Sequence, residues 1–140
     1  FLQEIDLNHN RFNKPKNMIE EIQAACRESG QPIPKTVGEL VMCVYSNLAR
    51  IYARELKQFE DLSGKTIDYL HVVGGGSNVS LLNQLTANLI GKEVIAGPGE
   101  ATAIGNILVQ MISVGEFENL SKARHWLASS SSFECYRPQI

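Results

Sequence analysis

The sequence has 140 residues, 44% of them hydrophobic and 20% charged, with a formal net charge of −2 at pH 7. This is the balance of one soluble globular domain, and without a basic stripe or Lys/Arg cluster it argues against a nucleic-acid polyanion as ligand. No apolar run approaches the roughly 18 residues that a membrane-spanning helix needs. Three widely spaced cysteines, Cys26, Cys43 and Cys135, suggest reduced thiols in a cytoplasmic protein, not a disulfide framework or a zinc ribbon. The partners are then small molecules or protein surfaces.

The first sixteen residues have no clear period and are rich in Asn and Lys, so they read as loop with a short extended piece at 1–7. Asn17 can cap a helix over 17–29, with Met18, Ile19, Ile22 and Cys26 on one face and Gly30 as its stop. The "GQPIPK" turn follows. Thr36 and Glu39 form a capping box that opens a long helix to about Leu62, whose stripe of Val37, Leu40, Val41, Val44, Leu48, Ile51, Tyr52 and Phe59 is expected to face a core.

The run "TIDYLHVV", about 67–73, is β-branched and largely apolar, as for a strand covered on both faces. Gly74, Gly75 and Gly76 follow at once. Val79, Leu82, Leu85, Thr86 and Leu89 define the next helix, Gly91 ends it, and "EVIAG" forms a second strand at 93–96 before the turn "GPG". A strand, glycine turn, helix and strand in this order predict a right-handed parallel unit in a helix-rich α/β fold. From Glu100 to Ser113 a further helix turns Ile104, Leu108, Met111 and Ile112 inward, with small residues in its first turns. Ser121 can cap a last short helix carrying Trp126. The serine run 129–132 reads as a flexible link, and residues 129–140 as a flexible or extended tail.

Three consecutive glycines are costly in conformational entropy unless something approaches their backbone closely. A glycine turn between a parallel strand and a helix gathers unpaired N–H groups and the positive end of a helix dipole, a seat for phosphate or another anion. The same turn can equally be a tight connection without a ligand. The dinucleotide fingerprint fits poorly, because its last glycine falls on Val79 and no acidic residue follows the second strand. Ser63 to Thr66, "SGKT", imitates the end of a Walker A loop, but the earlier glycine that motif needs falls on Phe59 and the segment leads into a strand. The three histidines have no metal-ligand spacing, and His71 reads as a satisfied, partly buried strand residue. No nucleophile, base and orienter assemble from these residues, so no catalytic residue and no metal ligand is assigned.

"QAACRESGQPIP", "HVVGGGSNVSLLNQLTANLIGKEVIAGPGEATAIGN" and the following "LVQ" closely resemble the C-terminal part of the FGGY carbohydrate kinases, over about Arg11 to Gly115. The triple glycine, "LLNQLTAN" and "AGPxEATAIGN" at this spacing match the branch that phosphorylates L-rhamnulose. The resemblance implies a piece of the second of two ribonuclease H-like domains of the actin and hexokinase type, in an enzyme that uses Mg2+ to move the γ-phosphoryl of ATP to the 1-hydroxyl of L-rhamnulose. The catalytic aspartate and most sugar contacts would lie upstream. The positions matching the family's nucleotide turn are Gly74, Gly75, Gly76, Ser77 and Asn78. One departure stands out: the family commonly has Asn at the position of Val79, so either Asn78 takes over its adenine contact or packing alone holds the base. The chain opens at Phe1 without a methionine, as a fragment would, and a fragment is expected to be inactive alone and to self-associate through an unpaired sheet edge. The reading from another class is a non-catalytic actin-like interaction domain.

Overall fold

The computed structural model describes residues 3–139, so Phe1 and Leu2 of the expected extended piece, and Ile140 of the tail, lie outside the described residues. The chain divides into two compact units, 1–66 and 67–140.

In the first unit, α1 (Met18–Glu28) begins at Asn17, whose Oδ1 accepts from the amides of Ile19 and Glu20. A longer helix, α2 (Val37–Ser63), opens with the complete capping box: Thr36 Oγ1 accepts from the Glu39 amide while the Glu39 carboxylate accepts from the Thr36 amide. Gly64, at φ 65°, closes it in the left-handed region where glycine has no Cβ penalty. The "SGKT" segment is therefore a helix stop and its exit. The core is small, formed by Ile5, Ile22, Cys26 and Cys43 with Leu40, Val44 and Phe12 packed against it. Buried Asn47 ties the loop at the start of the chain to α2: its Oδ1 accepts from the Ile5 amide, and its Nδ2 donates to the carbonyls of Gln3 and Cys43 at 2.8 and 2.7 Å.

The apolar stripe expected to be core in α2 is only partly so. Leu40 and Val44 join the cluster, whereas Val37 is 78% and Phe59 61% exposed, and the fully buried residues include the polar Ser46 and Asn47. Length gives the reason. Twenty-seven residues make a helix about 40 Å long, while the 11 residues of α1 span only about 16 Å, so α1 covers only part of its neighbour.

The second unit contains β1 (Tyr69–Val72), α3 (Ser80–Ile90), β2 (Glu93–Ala96), α4 (Ala101–Ser113), α5 (Leu120–Ser130) and β3 (Glu134–Tyr136). The sheet runs in the order β1-β2-β3. β1 and β2 are parallel, with Tyr69 opposite Glu93 and Val72 opposite Ala96, and β3 returns antiparallel with Cys135 opposite Ile95. Central β2 carries buried Val94 and Ala96, and α3, which packs on β2, buries Leu82 and Ala87. β1 is shorter than expected and alternates: Tyr69 and His71 are exposed, Leu70 and Val72 half-buried. One face is therefore exposed and the other partly covered, not both covered as expected, and among the described residues β1 lies at the edge of the sheet.

Two further expectations are corrected at the C-terminal end. Asn119, not Ser121, caps α5, its Oδ1 accepting from the Lys122 amide at 3.0 Å. Ser129 and Ser130 finish that helix instead of linking, and both hydroxyls donate back to the Trp126 carbonyl. The segment after it, read as extended, is so at residues 134–136, which form β3, stapled to α3 where Gln84 Nε2 donates to the Arg137 carbonyl and the Gln139 amide donates to Asn88 Oδ1. Of the four residues expected to face inward on α4, Leu108 is buried and Ile104, Met111 and Ile112 are half-buried.

Candidate functional site

Two loops leave the carboxyl ends of the parallel strands side by side: the glycine turn after β1 and the Gly97-Pro98-Gly99 loop after β2. The backbone stitches them together. The Gly97 amide donates to the Val72 carbonyl at 2.9 Å, and the Gly74 amide donates to the Pro98 carbonyl at 3.0 Å. Gly74 stands at φ 77° and ψ −166°, a combination that essentially only glycine adopts.

Gly75–Asn78 then form a single 3-10 turn. Ser77 points inward and is 5% exposed: its amide and its hydroxyl both donate to the Gly74 carbonyl, at 3.0 and 2.7 Å. The Ser77 carbonyl accepts from Nδ2 of buried Asn83 at 2.9 Å. The turn is thus braced from beneath by α3, a role for Ser77 and Asn83 that the glycines alone did not reveal. Its outer surface is different. Gly75 and Gly76 are exposed, neither lies in the left-handed region, and a Cβ on either would meet nothing within 4 Å. Among the three glycines, then, the fold itself requires only Gly74.

Asn78 is exposed at the lip, beside the second loop. A Cβ on Gly99 would stand 3.1 Å from Asn78 Nδ2 and 3.2 Å from Oδ1, so glycine at 99 is what lets that carboxamide lie where it does. The signal for this in the sequence was the pair of glycines around Pro98, which by themselves indicate only a turn.

The helix ends supply the electrostatics. α1, α2 and α5 each have a side-chain cap, from Asn17, Thr36 and Asn119. α3 and α4, the two helices that start from these loops, have none: Val79 and Glu100 occupy their cap positions without a side-chain hydrogen bond. Four amides at each helix start lack an intrahelical acceptor, and together they carry about half a positive charge. Two such ends and an open glycine backbone at one sheet edge make an arrangement suited to an anionic, phosphate-bearing ligand. The five residues singled out in the sequence are thus brought together, with Ser77 turned to the interior and the other four along the turn.

His71 does not project freely. Its Nε2 lies 2.5 Å from the Gly97 carbonyl oxygen, and its ring meets that of Phe133 edge-on with centroids 5.6 Å apart. Beside it runs a groove of about 540 Å³ lined by Val73, Ile104, Leu108, Leu127 and Phe133 among others. Among the described residues no group of three His, Cys, Asp or Glu could hold a metal ion, and no helix is long and apolar enough to cross a membrane.

Residues 5–114 match the C-terminal domain of the FGGY family of carbohydrate kinases, and the chain belongs to that family. Among curated proteins it is 51% identical over 139 residues to the rhamnulokinase of Ligilactobacillus salivarius, covering 99% of this chain and 29% of that protein. The rhamnulokinases of Lactiplantibacillus plantarum and Bacillus subtilis are 50% and 48% identical over the same length, with 28% and 29% of each covered. The chain therefore spans less than a third of the length of these relatives.

Proposed function

We propose that this chain is the nucleotide-binding C-terminal part of an ATP-dependent L-rhamnulose kinase of the cytoplasm. The observation that carries the reading is the open glycine backbone at Gly75 and Gly76, set between the two helices without side-chain caps at the carboxyl edge of the parallel strands. The parallel β1–turn–α3–β2 unit is also what a portion of a ribonuclease H-like domain would contain. Identity near 50% to rhamnulokinases along almost the whole chain supports the choice of sugar.

In the reaction, the 1-hydroxyl oxygen of the ketose attacks the γ-phosphorus, the bond from that phosphorus to the β-bridging oxygen breaks, and ADP departs. The hydroxyl proton passes to a base outside these residues. This chain contributes positioning and charge stabilisation. Amides of the glycine turn and the first turns of α3 and α4 face the phosphates, while Ser77 and Asn83 hold the turn rigid. The Asn78 carboxamide, which can both donate and accept, suits the edge of the base. Among the described residues no group of three His, Cys, Asp or Glu could hold Mg2+ by itself; in this reading the phosphates of ATP supply ligands to the ion that accompanies them.

The test is a phosphorylation assay of the full-length protein with ATP against a panel of ketoses and pentuloses. The expected result is a preference for L-rhamnulose in kcat/KM. Preference for another sugar would reassign the substrate within the family, and no sugar-dependent turnover of ATP would favour a non-catalytic actin-like role.

A further inference from the structure

The glycine turn does not hold its own position. Asn83 braces it through the Ser77 carbonyl, and on its other side Gly74 hangs by its amide from the Pro98 carbonyl, so its place also depends on the loop that offers that acceptor. The 97–99 loop is in turn pinned at Gly97 by two contacts. Its amide reaches back to the Val72 carbonyl at 2.9 Å, and its carbonyl oxygen lies 2.5 Å from His71 Nε2. Because a carbonyl can only accept, the nitrogen at 71 is the donor, and the proton sits on Nε2.

We propose that His71 is a positioning residue for the nucleotide turn, acting through Gly97 and Pro98 on Gly74. The proposal rests on the nucleotide reading above. Its geometry is specific. His71 is the β1 residue opposite Ile95, two positions before Gly97, and its imidazole reaches from β1 to that carbonyl. Phe133 holds the ring edge-on, and the same Phe133 Cδ1 would be 3.7 Å from a Cβ on Gly97, so one aromatic side chain packs over both partners of the bond. Gly97 itself lies at φ 109°, so its carbonyl direction is set by a backbone that other residues rarely adopt.

The experiment uses the full-length protein and the variants His71→Leu and His71→Gln, with Gly75→Val as reference. The readouts are KM for ATP, KM for the ketose, kcat and melting temperature. Removing the donor in His71→Leu should raise KM for ATP about three- to tenfold, the scale of one lost hydrogen bond, with KM for the sugar within twofold of its starting value. His71→Gln carries an N–H donor at nearly the same reach and should restore KM for ATP to within about twofold. That rescue separates positioning from mere packing, because Leu and Gln both replace the ring. The proposal is overturned if His71→Leu leaves KM for ATP unchanged, if both Michaelis constants move together, or if Gln behaves as Leu does. Gly75→Val identifies which idea has failed. If it raises KM for ATP while His71→Leu does not, the nucleotide reading stands and the role of His71 falls; if it too leaves ATP use unchanged, the nucleotide reading falls and takes the role of His71 with it.

Discussion

Substitutions along the three glycines should separate the demands of the fold from those of the ligand, because the structure assigns them to different residues. Gly74 sits at φ 77° and ψ −166°, and a side chain there costs about 1–3 kcal/mol in backbone strain. Gly75 has no such dihedral and open space where its Cβ would be, so Gly75→Val should leave the melting temperature nearly unchanged. If nucleotide touches that backbone, the branched side chain displaces it. Losing a charge-assisted hydrogen bond is worth about 1.5–3 kcal/mol, which corresponds to roughly a ten- to hundredfold rise in KM for ATP. The assay is steady-state kinetics on the full-length enzyme, varying ATP and sugar separately, together with thermal denaturation of each variant. Gly74→Ala should lower the melting temperature, and Gly91→Ala, at a helix stop with φ 65°, should do the same while sparing ATP. The reasoning is refuted if Gly75→Val destabilises the protein as Gly74→Ala does while the remaining folded enzyme uses ATP normally.

A Gly99→Val variant should force the Asn78 carboxamide out of its place, since the new Cβ would meet Nδ2 at 3.1 Å; KM for ATP should rise, and in an Asn78→Ala background the same change should have much less effect. A thiol reagent under native conditions should modify exposed Cys135 quickly and the wholly buried Cys26 and Cys43 only on unfolding, so a single fast equivalent is expected and a count of three would refute the packing of the first unit. Burial first, then the neighbouring Cys26, pushes the Cys43 thiol up from its ordinary 9.0 to about 12. A raised value favours the neutral thiol in the folded state, so its contribution is complete below pH 9.0 and lost as pH rises from there through about 12; alkaline denaturation of the wild type against Cys43→Ala measures it. Residues 1–140 on their own should turn over no ATP with L-rhamnulose, and the free edge of β1 should make them self-associate, as sedimentation at rising concentration would reveal.

Much of this molecule follows from local chemistry that a sequence displays. Asn17, the Thr36–Glu39 box and Gly91 mark helix ends because each acts through atoms a few residues away, and those ends stand where the residue types put them. The glycine turn between β1 and α3 was legible for the same reason, as was the kinship with the FGGY kinases carried by the motifs around it. What could not be read is everything that depends on a distant partner. A helical period identifies an apolar stripe on α2 but not how much of it a neighbour covers, and the short α1 leaves Phe59 and Val37 in the open. The 134–136 segment has too few residues to declare itself a strand until β2 supplies its hydrogen bonds. Three adjacent glycines look equivalent in a sequence. Only the tertiary structure divides them, because Gly74 takes dihedrals that glycine alone adopts and is tied to the Pro98 carbonyl of the neighbouring loop, while Gly75 and Gly76 face space that no part of the described chain fills.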